Sequence, residues 1–310
     1  MASKKLTGTL VVLLLLLSIL SAVYLALKQG VQKQTHSLDS ISVSHKNYIG
    51  VIDIYGPIYT PTKTGGFGMR YGTPDIIQTL RDFKEKSSIK AIILRINSPG
   101  GTVGAVQEIT AAIKRVQESG KPVVASVSDM AASGGYYIAA VCDKVVVNPG
   151  SIVGSIGVIF TTTELSEFFN KVGINKEVIK SGPYKDVGSA HRPLTEEERD
   201  FLQEIIDDTY SQFVEAVSAG RSMDTEKVKE IAKGQIYSGR MAKNLGLVDM
   251  LGDLMTAKKI ADELAGTKDT KLYRPRQARW SQFLHLIEQR TNILGLNKNN
   301  INGAAYLYRP

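Results

Sequence analysis

Few residues in this 310-residue chain could do chemistry, and the first is a hydroxyl. Ser133 stands in DMAASGGYY (Asp129–Tyr137), just after the apolar run PVVAS, with two alanines before it and two glycines after. A serine hydroxyl is a poor nucleophile until a neighbouring base takes its proton. The small neighbours leave it room, and a junction between strand and helix would add the positive end of a helix. Gly134 follows with an unshielded N–H, and SPGG (Ser98–Gly101) supplies a second turn with bare amides. Two amides aimed at one point are what a tetrahedral oxyanion needs. The AASGG spacing equally suits tight packing of a helix, and by itself it leaves both readings open.

A base must come from elsewhere. Of the four histidines, His36 and His45 fall in a polar tether and His285 in the tail, while His191 falls in a loop. Lys185, in SGPYKDVGS (Ser181–Ser189), is the other candidate. A solvated lysine is charged at neutral pH, but desolvation can lower its pKa by up to about 3–5 units. Pro183, Tyr184 and Val187 could wall such an amine, and Asp186 is expected to point away from it. Taken alone, Lys185 is one lysine in a basic protein. SSIK (Ser87–Lys90) matches an S-x-x-K pair but falls where a helix ends, with no partner motif. There is no H-E-x-x-H, EF-hand loop or G-x-S-x-G. The single cysteine, Cys142, cannot close an intramolecular disulfide or build a cysteine zinc site. No metal or cofactor is expected.

The elements that must position these groups alternate. YIGVIDIYGPI reads as a β-branched strand. TPDIIQTLRDFKEK reads as a helix capped by Thr73, with Pro74 in its first turn. IKAIILRIN is a strand buried on both faces. Val103–Glu118 is an amphipathic helix. PVVASVS, a helix over 131–140 with Asp129 as its N-cap, and KVVVNP come next; GSIGVIF and KEVIKSG are further strand candidates. Leu194–Arg221 is a long helix that Thr195 can cap, with Glu196, Glu197 and Glu198 at its positive end. The alternation argues an α/β domain with buried parallel strands.

At the N-terminus, Lys4 and Lys5 precede an uncharged stretch from Leu6 to Leu27, long enough to span a bilayer. Its length favours an uncleaved anchor over a secretory signal. Lys4, Lys5 and the amino terminus before the span favour a cytoplasmic N-terminus, with the residues after Leu27 on the other side of the membrane, although Lys28 and Lys33 follow it. The division expected is 1–27 stub and anchor, 28–46 tether, 47–265 catalytic domain, and 266–310 a basic, partly disordered tail. The net charge of +8 suits solubility and attraction to anionic lipid. No zinc-finger pattern or basic run interleaved with aromatics points to nucleic acid.

SPGG, DMAASGGYY, GSIGVI and SGPYKDVGS, in this order, resemble the short, single-unit bacterial signal peptide peptidase A family, over about Tyr48–Ala265. The resemblance implies a Ser/Lys dyad protease with the Clp-protease/crotonase-like fold of repeated β-β-α units, behind one N-terminal transmembrane helix. It implies Ser133 as nucleophile, Lys185 as general base, amides of Gly100 and Gly134 as oxyanion hole, and Ser155 hydrogen-bonded to the lysine amine. It further implies remnant signal peptides as apolar substrates, a cell-membrane location, and a homo-oligomeric ring in which neighbours can complete the dyad. Three alternatives remain open: a related Ser/Lys membrane protease cutting a stomatin-type partner, a crotonase-type hydratase, and a non-catalytic peptide-binding scaffold.

Overall fold

The computed structural model describes residues 17–18, 47–61 and 72–275, and the backbone of 305–307. Its contacts separate Met1–Lys46 from Asn47–Pro310. Of the first unit only Leu17 and Ser18, both helical, are described, so apart from these two residues the expected span, and all of the tether, lie outside the described residues. Among the described residues no helix is long and apolar enough to cross a membrane.

The second unit is built on apolar strands that pair in parallel. β1 (Tyr48–Tyr55) lies beside β2 (Ile89–Ser98), and β2 beside β4 (Val123–Ala132). β4 then changes partner along its length: Val124–Val127 pair with β5 (Lys144–Val147), and Met130–Ala132 pair with β6 (Ile152–Gly154). β7 (Ile236–Ser238) closes one edge antiparallel to β6. β8 (Met250–Leu251) extends β5, and β9 (Lys271–Tyr273) extends β1 on the other edge. β9 carries the sheet past residue 265 into the stretch read as tail. A short strand, β3 (Gly100–Thr102), pairs antiparallel with β10 (Ala305–Leu307).

Both faces of the sheet are covered, which explains the nearly unbroken apolar runs. On one face Ile49, Val51, Ile93 and Val124 pack against α8 (Leu254–Leu264). On the other, Ile54, Leu94 and Ile96 meet α1 (Thr73–Glu85), α2 (Val103–Gln117) and α3 (Gly134–Ala140). α5 (Glu196–Arg221) adds Phe213, Val214 and Val217, each worth about 1.5–3 kcal/mol of burial. Thr195 caps α5, with Glu198 completing a reciprocal capping box, as its T-x-x-E spacing predicts.

Several expectations are corrected. The cap of α1 is Gly72; Thr73 is its first residue, and its hydroxyl donates to the Tyr59 carbonyl at 3.0 Å. Asp129 caps no helix: it lies inside β4 and accepts from Asn97 Nδ2 at 2.7 Å. The strand runs on to Ala132 because β6 offers a fresh edge where β5 stops, so the helix begins at Gly134 and not near 131. KEVIKSG is not a strand, and of GSIGVIF only Gly154, the last residue of β6, lies in a regular strand. The KEVIKSG stretch lies largely in the open, with Ile179 95% exposed.

Candidate active site

Ser133 sits where β4 gives way to α3, buried to 1% exposure. Its backbone lies at φ 52, ψ −121. A serine held there costs on the order of 1–3 kcal/mol and persists only when its surroundings over-determine it. They do. Its N–H donates to the Gly154 carbonyl at 2.7 Å, and its carbonyl accepts from Tyr137 N at 2.9 Å. Below it, fully buried Tyr136 donates its hydroxyl to the Leu247 carbonyl at 2.7 Å, which anchors α3. A strained strand-to-helix turn is one way proteins project a nucleophilic serine.

The SPGG turn comes to the same place through sheet register. Between Ile96 and Ser98 of β2, β4 advances from Val127 to Ala131, so β4 bulges. Asn148 Nδ2 donates to the carbonyls of Val127 (3.3 Å) and Ser128 (3.1 Å), and Ser151 Oγ also donates to Ser128. The bulge sets Ser98 opposite Ala131, two residues before Ser133. Gly135 allows the contact: a Cβ there would sit 2.9 Å from the Ser98 carbonyl oxygen. Fully buried Ser98 organises the turn. Its Oγ donates to the Gly56 carbonyl at 2.7 Å and accepts from Gly100 N at 3.1 Å. Gly100, at φ 107, needs glycine's freedom. Ile58 N donates to the Gly100 carbonyl and Thr102 N to the Ile58 carbonyl. Successive residues of a strand face opposite edges, so the Gly101 backbone turns toward the edge where β10 pairs.

Ser155 follows the residue paired with Ala132, which brings it next to Ser133 across the β4–β6 ladder. It too has positive φ, 51, and its N–H donates to the Gln235 carbonyl at 2.6 Å. Ser133, Gly134, Gly100 and Ser155 are thus gathered at the C-terminal ends of adjacent strands.

Lys185 is placed differently. It lies in a single 3-10 turn, Pro183–Asp186, on a segment with little buried surface, and its side chain is exposed. Among the described residues no hydrogen bond links it to Ser133 or Ser155. The expected apolar wall is not closed in the single chain, since Tyr184 is 46% exposed and packs on Phe201 at 5.2 Å. Asp186 does point away: its carboxylate takes Arg192 and Lys180, which hold it below the usual carboxylate range. The rival base His191 stacks on Phe169 at 4.6 Å and puts Nε2 2.9 Å from Lys176 Nζ.

The profile of peptidase family S49 matches residues 115–268, which include Ser133, Ser155 and Lys185; that of Clp protease matches 71–151, with the SPGG turn. The chain is 43% identical over 229 residues to slr0021 of Synechocystis sp. strain PCC 6803, covering 74% of this chain and 78% of that one. The chain belongs to peptidase family S49. Serine protease SPPA of Arabidopsis thaliana chloroplasts is 36% identical over 68% of this chain and 30% of its own length. A protein of Enterococcus faecium, provisionally named signal peptide peptidase SppA, is 36% identical over 62% of this chain and 58% of its own. The chain thus spans most of the Synechocystis relative and under two thirds of the other two.

S49 membership supports a serine-type protease. The sequence reading of this S49 chain missed Ser98, the hub of the SPGG turn, and Arg192, which grips the segment carrying Lys185. Ser98 had a signal, since it begins the motif. Arg192 had none, because its partners are set by how the segment folds back.

Proposed function

We propose that this S49 chain is a membrane-anchored serine endopeptidase that degrades remnant signal peptides. Ser133 Oγ attacks the peptide carbonyl while the uncharged amine of Lys185 takes its proton. The tetrahedral oxyanion is held by the amides of Gly134 and Gly100, the latter exchanging its bond to Ser98 Oγ. The lysine then protonates the leaving amine, and water releases the acyl group from Ser133. Ser155 orients the lysine.

The observation that carries this reading is the strained, buried Ser133 seated beside the SPGG turn and Ser155. The backbone pairing of β10 along β3 supports an extended peptide as substrate, since that is how such a chain adds to an edge. The exposure of Lys185 fits a base desolvated by a neighbouring copy in a ring, as do the uncovered Phe168, Val172, Ile174 and Ile179 on the same segment. The apolar stretch Leu6–Leu27 supports an anchor with a cytoplasmic N-terminus and an extracytoplasmic catalytic domain. A tethered peptidase meets membrane-embedded peptides at high effective concentration.

The test is mass mapping of the residue modified by a fluorophosphonate probe, with synthetic signal peptides as competitors. Ser133 should carry the label and signal peptides should suppress it. Ser133→Ala and Lys185→Ala should each lower turnover by at least about 10³-fold with the fold intact, because the pair acts as a unit. Turnover should rise into the alkaline range. Full activity in Lys185→Ala with loss in His191→Ala would overturn the dyad. Cleavage of a stomatin C-terminal peptide in preference to signal peptides would overturn the substrate class.

A further inference from the structure

The turn that carries Lys185 contributes no buried residue, and the preceding helix α4 (Ser166–Lys171) contributes none either. Its one ring contact among the described residues, half-exposed Tyr184 on Phe201 of α5, is a weak hold on the position of that turn. Charge is the stronger hold. Arg192 Nε donates to Asp186 Oδ2 at 3.0 Å and Nη2 to Asp186 Oδ1 at 2.7 Å. On its other side Nη1 donates to Glu198 Oε2 at 2.7 Å and Nη2 to Glu198 Oε1 at 2.5 Å. Nη1 also donates to the Pro193 carbonyl at 3.1 Å. All five guanidinium N–H groups are used, in the forked geometry that lysine cannot reproduce. Asp186 is the residue next to Lys185, and Lys180 Nζ also donates to its Oδ1 at 2.6 Å while donating to the Pro183 carbonyl at 3.0 Å. Glu198 belongs to the capping box of α5, whose far turns are buried in the core. The side chains of Asp186 and Glu198 are only 13% and 5% exposed.

We propose that Arg192 is a positioning residue that references the Lys185 turn to the rigid start of α5, so that the amine reaches the nucleophile in one orientation. This rests on Lys185 being the general base. A misplacement of about 1 Å in a reacting group can cost about 100-fold in rate. The clamp acts on orientation and not on peptide binding, so its loss should appear in kcat.

The experiment compares Arg192→Ala, Arg192→Lys and Glu198→Gln in the full-length protein, on an internally quenched apolar peptide. Arg192→Ala should lower kcat about 100-fold with KM within about twofold. Arg192→Lys should recover less than a tenth of the wild-type kcat, and Glu198→Gln should lower it too. Thermal midpoint and oligomer size are read on each variant. If Arg192→Ala does not fold, the other two decide. Wild-type kcat in a folded Arg192 variant, a loss carried by KM and not kcat, or losses that only track the thermal midpoint, would overturn the assignment. Lys185→Ala separates the two failures: if it is inactive while the folded Arg192 variants keep full kcat, only the clamp is wrong. If Lys185→Ala keeps full turnover, the base itself was misassigned.

Discussion

Ser133 and Gly135 shape the site in opposite ways, one by bearing a Cβ at positive φ and the other by lacking one. Ser133 accepts a backbone conformation that costs energy, and the Gly154 carbonyl holds it there. Two residues on, the absent Cβ of Gly135 lets α3 approach Ser98 closely enough for the two amide-bearing turns to meet. Gly135→Ala should therefore push the turns apart. Overpacking of this kind costs about 1–3 kcal/mol, or about 2–4 °C in thermal midpoint per kcal/mol. The rate of fluorophosphonate labelling at Ser133 should fall with it. Gly150, whose added Cβ would meet nothing within 4 Å, is the control: Gly150→Ala should leave melting and labelling unchanged. Equal behaviour of the two variants would contradict the close-approach argument.

At the scale of elements, α5 and the Lys185 turn are joined by carboxylates whose ionisation matters. Arg192 and the Thr195 N–H hold the Glu198 carboxyl at about 2, and Arg192 and Lys180 hold that of Asp186 well below its ordinary value. Both folded values are depressed, so the stabilisation they provide is present above about pH 4.5 and is lost as pH falls toward about 2. Amide hydrogen exchange across 183–192, corrected for its intrinsic rate, should be slow at pH 6 and faster at pH 3. The core strand β2 should change less. Unaltered protection of the turn at pH 3 would mean that something other than this ion-pair cluster orders it. The capping box of α5 could be read from four consecutive residues, Thr195–Glu198. The length of β4 could not, because Asp129 and Met130 look like the end of a strand until β6 supplies a second partner.

For the whole molecule, the apolar side chains of the 159–184 segment and the uncovered Lys185 belong together in the proposed ring. If each site takes serine from one copy and lysine from the next, mixing inactive Ser133→Ala and Lys185→Ala chains should restore about a quarter of the sites, those with two intact contributors. No recovery after verified subunit exchange would confine the dyad to one chain. What the amino-acid order determined by itself was local: the apolar runs of β1, β2 and β4, the cap of α5, and the small-residue motifs around Ser133 and Ser98. These depend on neighbours within a few positions, through propensity, periodicity and turn chemistry. Only the tertiary structure decided that β4 changes partners, that Ser98 faces Ala131, that the Lys185 segment packs no core of its own, and that Arg192 commits four of its five donors to two carboxylates. Each of those outcomes depends on which distant backbone edge or charge is within reach once the chain has folded.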